Sequence, residues 1–211
     1  MTLANEIMQA FRGFRSFTFG DVRTVLRERH RHITDKTIQV TISRMTKTGK
    51  MFAILKGSYS LQRHDELAGF AFAPFYYGGL AALMILDLTD DQVKMEIMTT
   101  RLVKKSFVSI YDGNSSVVLH HIPKKYYFGF KDVKYGDITV PVSDSEKTLI
   151  DLFYYKAKIS IQDYADLLKA VNRKKLAGYL KAYDKRTAKR VLGFVKKYKN
   201  LADSGKLESP Y

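Results

Sequence analysis

Residues 34–47 have the sequence TDKTIQVTISRMTK, which predicts an amphipathic helix whose first residue is a good N-cap. Ile38, Ile42 and Met45 recur at the spacing that places apolar side chains on one helical face. The other faces carry hydroxyl, amide and cationic side chains, and no carboxylate follows Asp35. A helix face of this kind can enter a negatively charged groove and meet the edges of bases.

The neighbouring segments predict two more helices before this one and a short hairpin after it. Residues 2–12 and 20–30 have apolar side chains at helical spacing. Two extended runs, residues 51–55 and 58–61, are joined by a Lys-Gly pair that places a cation at the tip of a hairpin. Three helices followed by a basic hairpin are the order of a winged helix-turn-helix, which we assign to residues 1–65.

We expect this N-terminal domain to bind double-stranded DNA, because the exposed face of its third helix is basic and poor in carboxylates. The side chains expected to contact DNA are Arg31, Lys36, Thr37, Gln39, Val40, Thr41, Ser43, Arg44, Lys47, Lys56 and Tyr59. Those expected to approach bases are Lys36, Thr37, Gln39, Thr41 and Arg44, and those expected to contact phosphates are Arg31, Lys47 and Lys56. The alternative is a winged helix that serves only protein contacts.

The net charge of +15 is concentrated at the two ends of the chain. Residues 1–65 carry a net +7, residues 66–170 a net −1, and residues 171–211 a net +9. A charge that serves only solubility would be spread along the chain, whereas a nucleic-acid-binding surface concentrates it. The composition is 45% hydrophobic, which excludes a disordered basic tail.

Several functional classes are excluded or disfavoured by composition. The chain has no Cys, so it has no disulfide scaffold, no iron–sulfur cluster, no thiol nucleophile and none of the Cys-rich zinc sites. The most apolar run, residues 67–88, is interrupted by Pro74 and by glycines and is not expected to cross a membrane. The N-terminus lacks the basic start and long apolar stretch of a signal peptide. We therefore expect a cytoplasmic protein with no membrane partner.

Enzyme motifs are missing from the sequence. There is no phosphate loop and no Gly-rich dinucleotide turn, and nothing marks a catalytic nucleophile. His120 and His121 are adjacent on a predicted strand, so their side chains face opposite sides and do not share a metal. We expect no catalytic residues, no cofactor and no bound metal, although an enzyme with an unmarked site in the second domain stays an alternative.

Residues 66–211 predict a second domain with a small mixed sheet and a C-terminal helical bundle. Its expected elements are a buried helix over 76–88 and extended runs over 93–99, 105–111, 115–122, 126–130 and 138–142. Later helices are expected to begin at a capping box from Ser143 to Glu146 and at caps Ser160, Asn172 and Asp184. The fold class is therefore α+β, with an N-terminal winged helix-turn-helix and a second α+β domain.

Four short motifs follow the N-terminal domain. They are Tyr77-Gly-Gly-Leu-Ala-Ala-Leu83, Leu86-Asp-Leu-Thr89, Met98-Thr-Thr-Arg101 and Val142-Ser-Asp-Ser-Glu-Lys-Thr-Leu-Ile-Asp-Leu152. Together with the winged helix, their order resembles the AbiEi-type antitoxins of type IV toxin–antitoxin systems over roughly residues 1–170. The run Glu146–Asp151 is the sharpest match, while Asp87 and the basic C-terminal helices depart from the family pattern.

The resemblance implies a transcriptional autorepressor. Its winged helix would bind inverted repeats in its own promoter, with two copies on each repeat, and its C-terminal domain would counter a nucleotidyltransferase-like toxin. The residues of the sharpest motif also have a structural explanation. Glu146 can close a capping box, and Lys147 and Asp151 are spaced to form an ion pair, so we assign them to structure rather than catalysis.

The last two predicted helices carry a second basic surface opposite their apolar stripes. Its members are Arg173, Lys174, Lys175, Lys181, Lys185, Arg186, Lys189, Arg190, Lys196 and Lys197. Three partners stay open for it: DNA phosphates beside the inverted repeat, an RNA target of the toxin, or the toxin itself. An RNA-binding factor that uses this surface is the alternative to the DNA-binding repressor, and a merely solvated helical face is the simplest explanation.

Overall fold

The structure is a computed structural model that describes residues 1–104 and 106–204, and it divides into two compact units. The first unit comprises Met1–Ala73 and Phe107–Val117, and the second comprises Pro74–Ser106 and the chain from Val118 onward. The predicted boundary at residue 65 rests only on the expected end of the hairpin, whose last strand ends at Ser60. The observed division continues to Ala73 and gives the first unit a second segment from later in the chain.

Three helices form the core of the first unit: α1 (Leu3–Ala10), α2 (Phe19–Arg29) and α3 (Asp35–Lys47). Each begins after a threonine whose hydroxyl accepts a backbone N–H three residues later; these are Thr2, Thr18 and Thr34. Their apolar faces meet in one cluster that contains Ile7, Phe11, Phe17, Val22, Leu26, Ile38, Ile42, Met45 and Met51. The stripe predicted for α3 is therefore the buried one.

A small antiparallel sheet completes the helical part of this unit. It consists of β1 (Phe17–Thr18), β2 (Phe52–Leu55) and β3 (Ser58–Ser60) in the order β1-β3-β2. Gly57 turns the β2–β3 hairpin with a φ of +85°, a backbone conformation that favours glycine. The helices and the hairpin thus follow one another in the predicted order.

A six-stranded mixed sheet dominates the rest of the chain. Its strands are β4 (Phe75–Tyr77), β5 (Glu96–Thr99), β6 (Phe107–Ile110), β7 (Ser115–His121), β8 (Phe130–Tyr135) and β9 (Ile138–Ser143). They are ordered β6-β7-β5-β4-β9-β8, with parallel β5–β7 and β4–β9 pairs and antiparallel β4–β5 and β8–β9 pairs. The α+β class with a mixed sheet is confirmed.

The turn between β6 and β7 belongs to the first unit and has an unusual backbone. Tyr111 and Asp112 have φ values of 51° and 57°, in the left-handed region that costs free energy for residues other than glycine. The turn is held by several hydrogen bonds. The Tyr111 hydroxyl donates to the carbonyl of His64 at 2.5 Å, and the Ser115 hydroxyl donates to the Asp65 carboxylate. These bonds fix the turn against the segment that follows β3.

In the described part of the second unit there are five α-helices: α4 (Gly79–Ile85), α5 (Ser145–Tyr155), α6 (Ile161–Ala170), α7 (Arg173–Leu180) and α8 (Lys185–Ser204). The predicted caps of the last three are confirmed, because backbone N–H groups donate to the side chains of Ser160, Asn172 and Asp184. α5 is buried along most of its length and packs against α4, α7 and α8. Among the described residues, no helix combines the length and apolar character needed to cross a membrane.

The bounds predicted for two elements of the second unit are wrong. The helix predicted over 76–88 is a strand to Tyr77 and a helix from Gly79, because Gly79 has a φ of +57° and sits against the Glu96 carboxylate, where a Cβ would collide. The strand predicted over 126–130 is a 3₁₀ turn over Lys124–Tyr126, and the strand itself begins only at Phe130.

The capping box predicted from Ser143 to Glu146 is also wrong. The N-cap of α5 is Asp144, whose Oδ1 accepts the N–H of Lys147 at 2.9 Å. The Ser143 hydroxyl instead pairs with the Thr148 hydroxyl at 2.7 Å, and both side chains are buried. Glu146 is therefore available for a contact with a later helix.

Candidate nucleic-acid interface

The exposed face of α3 is polar and cationic. At about 100° per residue, Lys36, Val40, Ser43 and Lys47 lie opposite the buried stripe and project furthest from the core. All four side chains are exposed, and Val40 is 41% exposed. Gln39 is exposed on one side of this line. The face therefore presents cations, a hydroxyl, an amide and one apolar group.

The threonines of α3 lie on its other flank and already have intramolecular partners. The Thr37 hydroxyl is 2.9 Å from that of Thr34, and the Thr41 hydroxyl donates to the Thr37 carbonyl at 2.9 Å. Thr41 is also only partly exposed. These two predicted base contacts are thus less available than the central residues of the face.

Arg44 lies on the same flank, beside α1. It lines a groove of about 370 Å³ together with Thr41, Thr48, Lys50 and the first residues of α1. Lys50 and Arg12 line a second groove of about 520 Å³ along α1. Both are exposed cations that the sequence-based set of DNA contacts omitted. Their contribution to the N-terminal charge was the signal that could have identified them.

The other predicted contacts lie in the loops and the hairpin. Arg31 is exposed between α2 and α3, and Lys56 is exposed at the tip of the β2–β3 hairpin. Tyr59 is half-buried, and its ring centroid lies 6.3 Å from that of Phe17. Burial raises the pKa of its hydroxyl. The Tyr59 ring therefore joins the hairpin to the helical core.

Two carboxylates of the first unit form ion pairs with side chains of α2 and of the residue that follows it. Arg27 and Arg23 contact Asp35 at 3.0 and 3.7 Å. The buried Glu6 carboxylate contacts His30 Nε2 at 3.1 Å and Arg29 at 3.9 Å. The carboxylates of Asp35 and Glu6 are thus paired within the protein.

The second basic surface is largely exposed along α7 and α8. Its exposed members are Arg173, Lys174, Lys175, Lys181, Lys185, Arg186, Lys189, Lys196 and Lys197. Lys175 differs, because its Nζ lies 3.0 Å from both Asp144 Oδ2 and Glu146 Oε2. Burial alone would lower the pKa of Lys175, but these carboxylates outweigh it and raise that pKa. Arg190 is half-buried, with its guanidinium 5.9 Å from the Phe153 ring centroid.

The Glu146–Asp151 motif lies inside the second unit. Lys147 and Asp151 form the predicted ion pair, and both side chains are at most 1% exposed. The Tyr76 hydroxyl donates to Asp151 Oδ2 at 2.9 Å. Burial raises the pKa of Asp151 and lowers that of Lys147, although their mutual attraction opposes both shifts. Glu146 accepts the N–H of Asn172 at 2.7 Å and so ties α5 to α7.

Other motif residues meet near the same place. A Cβ on Gly78 would lie 3.1 Å from Asp151 Oδ2, and Glu96 Oε2 accepts the N–H of Leu80 at 2.8 Å. His120 Nε2 lies 3.6 Å from Glu96 Oε1, while His121 is exposed and bonds the Arg101 carbonyl. Within the described ranges, no three His, Asp or Glu side chains are grouped to hold a metal ion. Residues of two motifs, Gly78–Leu80 and Lys147–Asp151, therefore lie beside a largely buried group of polar side chains.

Comparison with known proteins supports the fold alone. No protein-family model matches the chain, and no curated protein matches it. Among solved structures it is similar to "Crystal structure of RV2827C protein from Mycobacterium tuberculosis", with a TM-score of 0.61 and 16% sequence identity. The match covers 92% of this chain and 76% of that one. The α+β arrangement is thus shared with a solved protein of low sequence identity.

Proposed function

We propose that this protein is a DNA-binding transcriptional repressor whose first unit acts as a winged helix-turn-helix. In this proposal α3 is the recognition helix in the major groove, and the β2–β3 hairpin is the wing that places Lys56 on the backbone. Two copies bind an inverted repeat, with half-sites about one helical turn apart. The protein acts in the cytoplasm and catalyses no reaction.

The observation that carries this proposal is the composition of the exposed face of α3. It combines Lys36, Gln39, Ser43 and Lys47, and the one carboxylate of α3, Asp35, is paired with arginines of α2. Lys, Gln and Ser side chains are suited to base edges and phosphates. A solvated helical face would ordinarily mix both signs of charge.

The antitoxin role rests on the resemblance to AbiEi-type proteins. We infer that the protein represses its own operon and counters a nucleotidyltransferase-like toxin, through the second unit or through the toxin's RNA target. Lys147 and Asp151 of the sharpest motif are used in a buried ion pair with a hydrogen bond from Tyr76, so they support the integrity of that unit rather than a toxin contact. A toxin contact would use other, exposed residues.

The test is protection of the promoter of its own operon. Footprinting is expected to show an inverted repeat protected by the wild-type protein but not by a variant with Lys36, Gln39 and Ser43 replaced by Ala. These side chains are exposed, so the variant should unfold at the wild-type temperature. Equal, weak binding of wild type and variant to all duplexes would contradict the proposal.

A second candidate function is RNA binding through α7 and α8, which the exposed cations of that surface favour. Replacing Lys185, Lys189 and Lys196 by Gln removes three exposed charges from one face of α8. If structured RNA binds the wild type more tightly than any duplex DNA and loses affinity with this variant, the RNA function is favoured over the repressor. Unchanged RNA affinity would contradict the RNA function.

A further inference from the structure

Asp35 is the one carboxylate in the sequence of α3, and two arginines of α2 hold it. Arg27 Nη2 lies 3.0 Å from Asp35 Oδ1, and Arg23 Nη1 lies 3.7 Å from Asp35 Oδ2. The three side chains are between 44% and 48% exposed. The guanidinium groups are therefore in contact with solvent and with Asp35 at the same time.

Capping does not require this arrangement, although a carboxylate in the first turn also interacts favourably with the helix dipole. The N-cap of α3 is Thr34, whose hydroxyl accepts the N–H of Thr37 at 3.2 Å, so the Asp35 carboxylate is not needed for that role. Ion pairs that are exposed to this extent contribute little to stability. Asp35 does, however, contact both guanidinium groups.

We propose that Asp35 is a specificity-determining residue that occupies Arg23 and Arg27 and thereby weakens binding to DNA of arbitrary sequence. This inference rests on the proposed DNA-binding function. Sequence-independent affinity comes from contacts of Lys and Arg with phosphates. A DNA phosphate can bind Arg23 and Arg27 only if it displaces the Asp35 carboxylate. The phosphate then lies close to the negative charge of Asp35, which repels it. Base contacts at the operator offset that penalty, whereas other sequences lack them.

The central experiment compares the wild type with Asp35→Asn on two duplexes, one with the protected repeat and one with its sequence scrambled. The variant is expected to bind the scrambled duplex more tightly, on the order of tenfold at low salt, because up to two arginines become available to phosphates. The plot of log affinity against log salt concentration should steepen by up to about 1.8. The preference for the repeat should fall.

A matched control separates this effect from net charge. Glu28→Gln removes the same single charge from an exposed position of α2, next to Arg27. A second control places Asp35→Asn in a background with Arg23→Gln and Arg27→Gln. The proposal expects that Glu28→Gln does not raise affinity for the scrambled duplex. It also expects that Asp35→Asn does not raise that affinity in the background without the two arginines. Asp35→Ser repeats the test, and thermal unfolding reports whether each variant is folded.

The outcomes distinguish this inference from the proposed function. Wild-type protein that does not prefer the repeat contradicts the function itself and the inference with it. If the wild type prefers the repeat but Asp35→Asn and Glu28→Gln raise affinity for the scrambled duplex equally, the inference alone is contradicted. The inference is also contradicted if Asp35→Asn raises affinity for the scrambled duplex when Arg23 and Arg27 are replaced by Gln. A gain confined to Asp35 variants that carry both arginines supports it.

Discussion

The Lys147–Asp151 pair is the most deeply buried charged group described in the second unit. Asp151 also accepts a hydrogen bond from the Tyr76 hydroxyl. The Nζ of Lys147 lies over the rings of Tyr76 and Tyr183, 5.1 and 5.7 Å from their centroids. A buried charge is tolerated only while its partner is present. These residues therefore stabilise the unit as a set.

Replacing Lys147 by Met is expected to lower the free energy of unfolding by about 3–5 kcal/mol, because Asp151 would lose its buried partner. Urea unfolding followed by circular dichroism measures this change. The double variant Lys147→Met with Asp151→Leu should recover much of the loss, since no charge is left unpaired. If the double variant is as unstable as the single one, altered packing or the lost hydrogen bond of Tyr76, rather than charge, explains the cost.

Tyr111 gives a prediction about pH. Burial, with the nearby Asp65 carboxylate adding to it, raises the pKa of Tyr111 to about 12. The unfolded state then releases this proton near pH 10, before the native state does, so the contribution of Tyr111 to stability is complete below pH 10 and is lost as the pH rises to about 12.

Tyr111→Phe should be less stable than the wild type at pH 8 by about 1 kcal/mol, because the hydrogen bond to His64 is lost. Between pH 10 and 12 the difference should shrink and then reverse, since Phe has no proton to release. Denaturant unfolding at several pH values checks this. A difference that stays constant with pH would show that Tyr111 titrates alike in both states.

Val40 is the apolar group at the centre of the proposed recognition face. If it meets the methyl group of a thymine, replacing that thymine by deoxyuridine should weaken binding about fourfold, the effect of one buried methyl group. The Val40→Ala variant should not distinguish the two bases. Binding measured for each thymine of the repeat in turn tests this, and equal sensitivity of the wild type and the variant would exclude the contact.

At the scale of elements, α3 and the β2–β3 hairpin should contribute differently to binding. Arg44→Ala should cost about 1–3 kcal/mol and relax specificity if Arg44 contacts a guanine. Its place in the groove beside α1 favours a phosphate contact instead, for which the loss is the same on every sequence. No loss on any duplex would remove Arg44 from the interface.

Lys56→Ala is expected to weaken binding uniformly and to lower the salt slope by about 0.9, as for one phosphate contact. Binding to the repeat and to its scrambled form at several salt concentrations measures both effects. A change confined to the repeat would instead assign Lys56 to base recognition.

Elements whose signals are local were predictable from sequence. The caps at Ser160, Asn172 and Asp184 need only a side chain and N–H groups within three residues. The break between Tyr77 and Gly79 was not predictable, because it depends on Glu96, which comes from another strand. Glu146 likewise looked like a local capping residue, whereas its partners lie near Asn172.

The same distinction applies to the candidate interface. The helical period of α3 identified its exposed residues, since burial of one face fixes the others. It did not identify the two grooves beside α1 that Arg12, Arg44 and Lys50 line, nor the hydrogen bonds that Thr37 and Thr41 make within the helix. Those depend on how helices pack and on which hydroxyls find local partners.

At the scale of the whole molecule, the C-terminal charge cannot be removed by truncation. Leu176, Leu180, Tyr183 and Val191 belong to the core cluster of the second unit, so a chain that ends at residue 171 would lose part of that core. Charge has to be removed from the surface instead, with the helices left in place.

The Gln variant at Lys185, Lys189 and Lys196 is therefore the test of whether α8 contacts DNA beside the repeat. If it does, DNA affinity should fall and the salt slope should decrease by up to about 2.7, at 0.9 for each phosphate contact. A matched Gln variant at the exposed Lys124, Lys131 and Lys134 removes the same three charges and is the control for net charge. An unchanged slope would exclude α8 from the DNA interface.

The second segment of the first unit, Phe107–Val117, affects how the protein is made. Chains emerge from the ribosome at about 5–20 residues per second, so roughly two to nine seconds separate residue 73 from residue 117. During synthesis the three helices and the small sheet therefore exist for a time without the turn that bonds His64 and Asp65. A nascent chain that stalls in this interval exposes an incomplete unit to proteases and chaperones.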